Sequence, residues 1–507
     1  MHFTRRHTLC ALGHAASAGG WAALTGIGLV AHPALAQTRK TGVVISISLE
    51  PDSLDPTQSA AASIGEVVHY NVFENLVRIN ENGTLSGQLA HAWSQDETGL
   101  RHTFQLRKDA LFHDGAAFDA QAVRFSFERA GAPSSTNKSK KALFDNIARI
   151  DTPDPYTVVL TLHHPDASVL FRLSESPAVI LHPASAQQAA SAPIGTGPYQ
   201  FVQWRKGWGV TLTKAPRYRH AAQVQLERAT FRFIADPAAQ AQAVRSGEID
   251  VFFNIATDNA LRFRSDRRYQ VLVGASNGKG MLAFNHRRPP LNDVRVRRAI
   301  CHAIDREGFI KNVLRGQGSA IGSHFTPADA GYVHLTGVYP FDPSRARALL
   351  TAAGVKLPLQ LSLSLPPTPY ARAGGPVVAA ALAQVGIVLD IQPVDWAQWL
   401  AGTFKGDFDV TLINHVEPLD YKIYADPAYY FGYDSADFRA LVARHDVAPN
   451  ARARALLFAQ LQRYLAADAA NAWIFTPQLS TVARKGLSGL WMNYPIFVHD
   501  VAAMSWE

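Results

Sequence analysis

Cysteine is nearly absent: Cys10 and Cys301 are the only two in 507 residues. Cys10 falls in a segment that reads as a removable leader, too early and with no apolar run before it to be a lipoprotein acceptor. With one thiol left, no internal disulfide and no cysteine-based metal site can form, so the fold must rest on its apolar core. Long apolar runs are missing as well. After the leader, the best window is residues 377–391, and Gln384, Gly386 and Asp390 break it short of a bilayer span. Charge of one sign is not concentrated. The net charge is +8, but Arg5 and Arg6 supply two of these and residues 1–36 hold no acid, so residues 37–507 carry +6. Apart from Arg287-Arg288 and Arg295 with Arg297-Arg298, the basic residues are scattered. No aromatic-interleaved basic stripe exists to follow a nucleic acid.

Catalytic signatures are lacking too. The histidines, His113 and His163-His164 among them, do not have the HExxH spacing of a zinc site, and no Gly-x-Ser-x-Gly turn presents a nucleophile. Residues 274–280 look glycine-rich. A phosphate loop ending at Gly278-Lys279 would need glycine where Val273 stands and Ser or Thr where Gly280 stands. Gly316-Gln317-Gly318 lacks the third glycine of a dinucleotide turn. The residues therefore point away from an enzyme, and no cofactor or metal is expected.

What is present begins with an export leader. Arg5-Arg6 precede a weakly apolar Ala/Gly-rich stretch, and Ala34-Leu35-Ala36 fits a small-x-small cleavage site, so Gln37 is expected to begin the mature chain. Thr4-Arg5-Arg6-His7-Thr8-Leu9 is close to a twin-arginine signal, with a general secretory signal as the alternative. The length exceeds what one core can hold and predicts two or three domains. With 47% apolar and 18% charged residues, the chain has the composition of an ordinary soluble protein.

The most informative stretch is residues 104–129. Phe104 and Leu106 alternate with Gln105 and Arg107 as in a half-buried strand, and His113-Asp114-Gly115 supplies a sharp turn. Asp119 is placed to cap a helix whose Val123 and Phe127 face inward while Arg124 and Glu128 stay wet. Elsewhere, Val43 to Leu49 reads as a buried strand leading into Ser53-Leu54-Asp55-Pro56. Ser246-Gly247-Glu248-Ile249-Asp250 ends a helix and enters a strand, and Asp342-Pro343 opens a helix that Gly354 closes. Val296, Ile300 and Ile304 recur every fourth residue, so the arginines between them read as a solvated helix face.

Phe104-Gln105-Leu106-Arg107, Phe112-His113-Asp114-Gly115 and Ser126-Phe127-Glu128-Arg129 resemble the signature of the extracytoplasmic solute-binding proteins, family 5, that serve peptide and nickel ABC transporters. The same order continues through Ser53-Leu54-Asp55-Pro56, Asn71 to Val77, Gln88-Leu89-Ala90 with Ala92-Trp93-Ser94, Gly195-Thr196-Gly197-Pro198-Tyr199, Ser246 to Asp250 and Val296 to Arg306. The resemblance implies an α/β, two-lobed periplasmic binding protein type II-like fold with an extra inserted subdomain in the first lobe and a hinged interlobe cleft. The implied boundaries are a leader at 1–36, a first lobe at 37–277 with the insertion at about 76–192, a second lobe at 278–476, and a return to the first lobe at 477–507. The implied function is that of a periplasmic receptor, a monomer, that captures short peptides or peptide-like amine-bearing solutes and delivers them to a membrane ABC permease. A nickel or metal-chelate carrier is the alternative within the family, with His415 and the tyrosines as its suspects, and a secreted hydrolase is the alternative outside it.

In peptide-binding members of that family, the loop after one strand of the second lobe carries an acidic residue that receives the peptide's α-ammonium. Glu417 is the nearest match here and Asp420 the second, with Asn414, His415 and Tyr421 beside them. Read from the residues alone, both acids are equally open to pairing with local arginines or facing solvent. The stretch from Asn277 to Met281, with Tyr370, Trp396 and Trp399, completes the candidates, because aromatics give a cleft apolar area at low entropic cost. Each is also compatible with the core, and Trp396 and Trp399, three apart, would share one helical face.

Overall fold

One long strand, Ala472–Arg484, organises the computed structural model by belonging to both of its lobes. Residues 40–59, 61–253, 260 and 262–507 are described. The expected leader, with Cys10 and the Ala36-Gln37 cut, lies outside them. Through Phe475 the long strand is antiparallel to Lys279–Phe284, and from Gln478 onward it is antiparallel to Tyr269–Ala275. On one side of this switch the sheet continues through Val251–Phe252, Gly42–Ile47, Arg228–Phe233, Gly209–Lys214 and Tyr199–Arg205. On the other it runs through Val410–His415, Leu359–Leu365 and Ile387–Pro393. Gly42–Ile47 is parallel to both of its neighbours and buries Val43, Ile45 and Ile47, as an inner strand covered on its faces must.

The chain thus passes between lobes at Ser276-Asn277-Gly278 and again at Thr476-Pro477. The two passages are braced to each other: Ser276 Oγ donates to the Pro477 carbonyl (2.6 Å), and Thr476 Oγ1 donates to the Ser276 carbonyl (3.2 Å). The glycines that resembled a phosphate loop serve this close approach. A Cβ on Gly278 would lie 2.8 Å from the Pro477 ring, and one on Gly280 would lie 2.3 Å from the Phe475 ring. After the second passage the chain returns to the first lobe, where Trp491, Tyr494, Val501 and Trp506 join its core and Trp506 Nε1 donates to the Gly42 carbonyl (2.9 Å).

Residues 104–129 run from the end of the strand Arg101–Leu106 into the helix Ala120–Gly131, which packs against a separate four-stranded antiparallel sheet, ordered Ala90–Gln95, Arg101–Leu106, Thr157–Leu162, Ile147–Asp154, with a core of its own. Asp119 caps the helix by accepting from Gln121 N and Ala122 N. Val123 and Phe127 are buried, and Arg124 and Glu128 pair on the wet face at 2.7 Å. Gly247 ends the helix Pro237–Ser246 at φ +82°, and Asp342 caps Pro343–Ala352. The arginine face expected between Val296 and Ile304 needs correction. Arg297 is buried and donates to the carbonyls of Ala469, Leu291, Asn292 and Asp468, while Arg298 donates to that of Ala467. The helix Ala451–Ala467 ends there with carbonyls that have no partner along the helix, and these two side chains satisfy them.

Candidate functional site

A cavity of ≈570 Å³ lies between the lobes and opens to solvent. Its wall is largely apolar: Ile79, Leu85 and Phe171 come from the first lobe, Tyr421 and Phe458 from the second, and Asn277 and Pro495 from beside the crossings. Asp329 and Arg454 are its ionisable groups, with His445. Asp329 Oδ2 accepts from Thr326 N (2.7 Å), and burial pushes the carboxyl above its usual range. Arg454 Nη2 donates across the cleft to Gln95 Oε1 (2.8 Å), and its Nε is buried without a partner. A second bridge closes the cleft edge. Lys422 Nζ donates to Asp166 of the first lobe (2.6 Å) and to Asp446 of its own lobe (2.9 Å), and Asp446 also accepts from Ala167 N (3.1 Å). Burial would raise the Asp166 carboxyl, but the Lys422 ammonium outweighs it and holds the group below its usual range.

Beneath the loop that follows Val410–His415 lies a buried charge network. Asp420 Oδ1 accepts from Lys279 Nζ (2.8 Å) and lies 2.8 Å from His324 Nε2, and Asp420 Oδ2 lies 3.3 Å from His415 Nδ1. Lys279 also donates to the Glu417 carbonyl (2.5 Å). His415 Nε2 continues to Tyr430 OH (3.1 Å), and His324 Nδ1 to Tyr424 OH (3.1 Å), which accepts from Asn471 Nδ2 (2.9 Å). Burial alone would raise the Asp420 carboxyl, yet His324 and Lys279 hold it well below the carboxylate range, and burial pushes His324 down to about 4. The ligand atoms of His324, His415 and Asp420 lie within 4.8 Å of one another, a set able to hold a metal if the Lys279 ammonium were displaced from it.

This arrangement corrects several expectations. Glu417 is exposed and does not line the interlobe cavity; its carboxylate accepts from its neighbour Val416 N (3.2 Å). Asp420 already holds a lysine ammonium, so a ligand's ammonium would have to displace an internal cation. His415 serves the same network. Trp399 is core: its Nε1 donates to Thr411 Oγ1 (3.2 Å) on the sheet, and Trp396, on the same helical face, packs edge-on against it at 5.8 Å but stays 45% exposed. Tyr370 packs on Phe475 and accepts from Asn414 N (2.9 Å). Among the candidates, Tyr421 and Asn277 line the main cavity, and Asn277 and Asn414 line a smaller adjoining one.

The sequence reading passed over His324, Asp329, Arg454 and Glu66, and took Lys279 only as part of the stretch Asn277 to Met281. Only Glu66 carried a readable signal, as the one charge in a helix, Ala62–Val68, that otherwise buries Ile64, Val67 and Val68. Cys301 offers no nucleophile: burial pushes its thiol up to about 12.

The family model for bacterial extracellular solute-binding proteins, family 5 (middle), matches residues 84–433. The chain is 27% identical over 340 residues to the glutathione-binding protein GsiB of Salmonella paratyphi A, an alignment covering 66% of this chain and 65% of that protein's length. It is 28% identical over 413 residues to a probable di/tripeptide-binding protein 5 of Pseudomonas aeruginosa, covering 75% and 77%. The fold matches the structure of HbpA2 from Haemophilus parasuis with a TM-score of 0.83 at 22% identity, over 92% of this chain and 100% of that one. Two lobes, a cavity between them and a family match over most of the sequence agree, and the chain belongs to the bacterial extracellular solute-binding proteins, family 5.

Proposed function

We propose that this chain is the exported receptor of an ABC importer, and that it encloses a short peptide or peptide-like amine-bearing solute between its lobes for delivery to a membrane permease. The observation that carries this reading is the ≈570 Å³ interlobe cavity, a size suited to a small solute, whose apolar wall is interrupted by Asp329 and Arg454. Such a wall suits a ligand that is apolar along its length and charged at its ends. The relatives named for glutathione and for di- and tripeptides support the same class of ligand. In this reading the paired passages at 276–278 and 476–477 are the hinge, and the protein works as a periplasmic monomer without chemistry of its own. Ligand favours the closed form to the extent that both lobes touch it.

Calorimetry against di- to pentapeptides, their N-acetylated forms and nickel chelates tests this. Micromolar or tighter binding of free-amine peptides is expected, with Arg454→Ala weakening it about tenfold or more through loss of a charge-assisted hydrogen bond. Silence toward every peptide would sink the proposal. A second reading, a metal-chelate carrier, draws on the His324, His415 and Asp420 set. It requires Ni²⁺ binding that strengthens when Lys279→Met removes the competing ammonium.

A further inference from the structure

A chamber of ≈190 Å³ opens off the hinge and shares Asn277 with the larger cavity. Its walls come from both lobes and both crossings: Glu66 from the helix Ala62–Val68, Asn277 and Gly278 from the first passage, Pro477 from the second, and Asn414 from the end of Val410–His415. Three of the side-chain groups collected there are acceptors without a partner among the described residues. Asn277 Nδ2 donates to the carbonyls of Tyr494 (3.1 Å) and Pro495 (2.6 Å), which leaves its Oδ1 buried without a partner. Asn414 Oδ1 is likewise buried and unpartnered. Glu66 pairs with no cation among the described residues, and burial, with nothing to oppose it, pushes its carboxyl up to about 7.

Three acceptors line the chamber, and the unpartnered groups it sets beside them are Tyr494 OH and His499 Nδ1, two uncharged groups that do not compensate a carboxylate. An apolar group would leave the acceptors without a donor from the ligand, at a desolvation cost for each one unmet. An anion is repelled by the carboxylate. Water satisfies the amide oxygens but leaves the carboxylate's charge uncompensated. A primary ammonium brings three N–H donors and the opposite charge.

We infer that this chamber is the amine subsite, in which Glu66, Asn277 and Asn414 receive the ammonium of the solute held in the adjoining cavity. The inference rests on the receptor reading above and assigns the amine to residues other than Glu417 and Asp420. Because Glu66 belongs to the first lobe and Asn414 to the second, an ammonium held there favours closure. The other titratable groups facing the chamber are Tyr494, pushed above its ordinary range, and His499, pushed down to about 3, both by burial. Both are uncharged near neutrality, which leaves Glu66 as the group that titrates. Amine binding requires its charged form, so affinity should fall about 30-fold from pH 8 to pH 5.5, following the fraction ionised.

The test compares the wild-type protein with Glu66→Gln by calorimetry against the peptide panel, and by thermal melting at pH 8 with and without ethylammonium chloride. The chamber assignment expects at least tenfold weaker peptide binding by the variant, an ethylammonium-dependent rise in melting temperature confined to the wild type, and an unliganded variant that melts no lower than wild type at pH 8. Peptides that bind both proteins equally would overturn the assignment and leave the receptor reading standing. Silence toward every peptide, with ethylammonium still stabilising only the wild type, would support the chamber and sink the peptide reading. No response to either probe would overturn both, and a variant that melts lower without ligand would show Glu66 to be partnered in the fold.

Discussion

Replacing Lys279 by methionine keeps the apolar stem of the side chain and removes the ammonium from Asp420. The Lys279 side chain is 3% exposed and that of Asp420 11%, so water cannot enter to replace what is lost. Deleting one partner of a buried ion pair costs about 3–5 kcal/mol, because the remaining charge is left uncompensated. Here His324 and His415 still face the carboxylate, which places the expected loss near the lower end, about 3 kcal/mol at pH 8. The pH dependence follows from His324. Lys279 is one of the causes that hold this ring down at about 4, so its removal lets His324 take a proton at higher pH and supply the missing positive charge. The penalty should therefore shrink to about 1–2 kcal/mol as pH falls through the ordinary histidine range. Asp420→Asn strands the lysine instead and should cost a similar amount, while the double variant, left with no charge to compensate, should lose about 2 kcal/mol less than the sum of the singles. Urea unfolding followed by tryptophan fluorescence reads this directly, since Trp399 and Trp473 lie in the aromatic core around the network. Single variants within about 1 kcal/mol of wild type, or a strictly additive double, would refute the reasoning.

Removing the Lys422 bridge to Asp166 with Lys422→Ala should weaken closure by about 1 kcal/mol, a modest value because the lysine is one-third exposed. Small-angle scattering of the unliganded variant should show a larger radius of gyration, and ligand affinity should fall about fivefold; identical scattering curves would rule the bridge out as a latch. Acid should destabilise the fold well above the carboxylate range. Burial pushes His69, His286 and His499 down to about 3 and His324 to about 4, so below the ordinary value of 6.5 the unfolded chain binds protons that the folded one refuses. Stability is full above that value and is lost as pH falls toward the folded values, by about 2 kcal/mol per ring at pH 5 as an upper bound. Glu66, raised to about 7, and Asp329, also raised by burial, oppose this, but they are two groups against four. An unfolding midpoint that held steady or rose between pH 7.5 and pH 5 would contradict this sign.

Much of the fold is legible in short stretches because the physics is local there. The alternation around Phe104, the Asp119 cap and the glycine stop at Gly247 each depend on neighbours within a few residues, and each stands where the sequence places it. Long-range partners are a different matter. Arg297 looks solvated beside Val296, and only the end of a helix some 170 residues on explains its burial. Lys279 sits between two glycines that suggest phosphate binding, while its partner Asp420 lies 141 residues away. The loop at 414–421 was legible as unusual, but a buried carboxylate's role depends on which cation reaches it, and a lone sequence does not give that distance.

Asp420 and Glu66 show how this distinction decides function. Both are carboxylates withdrawn from water, but the fold supplies Asp420 with a lysine, a short approach from His324 and a longer one from His415, and among the described residues it supplies Glu66 with no cation. A ligand ammonium arriving at Asp420 gains only the difference between itself and a lysine already in place, while that lysine, 3% exposed, is left without its counter-ion. At Glu66 the same ammonium gains the whole interaction and relieves a desolvated charge. The acid that makes the stronger contacts in the unliganded protein is therefore the weaker candidate for recognition. A receptor that must release its cargo does better with a charge that the fold leaves uncompensated beside the hinge, where filling it draws on both lobes at once.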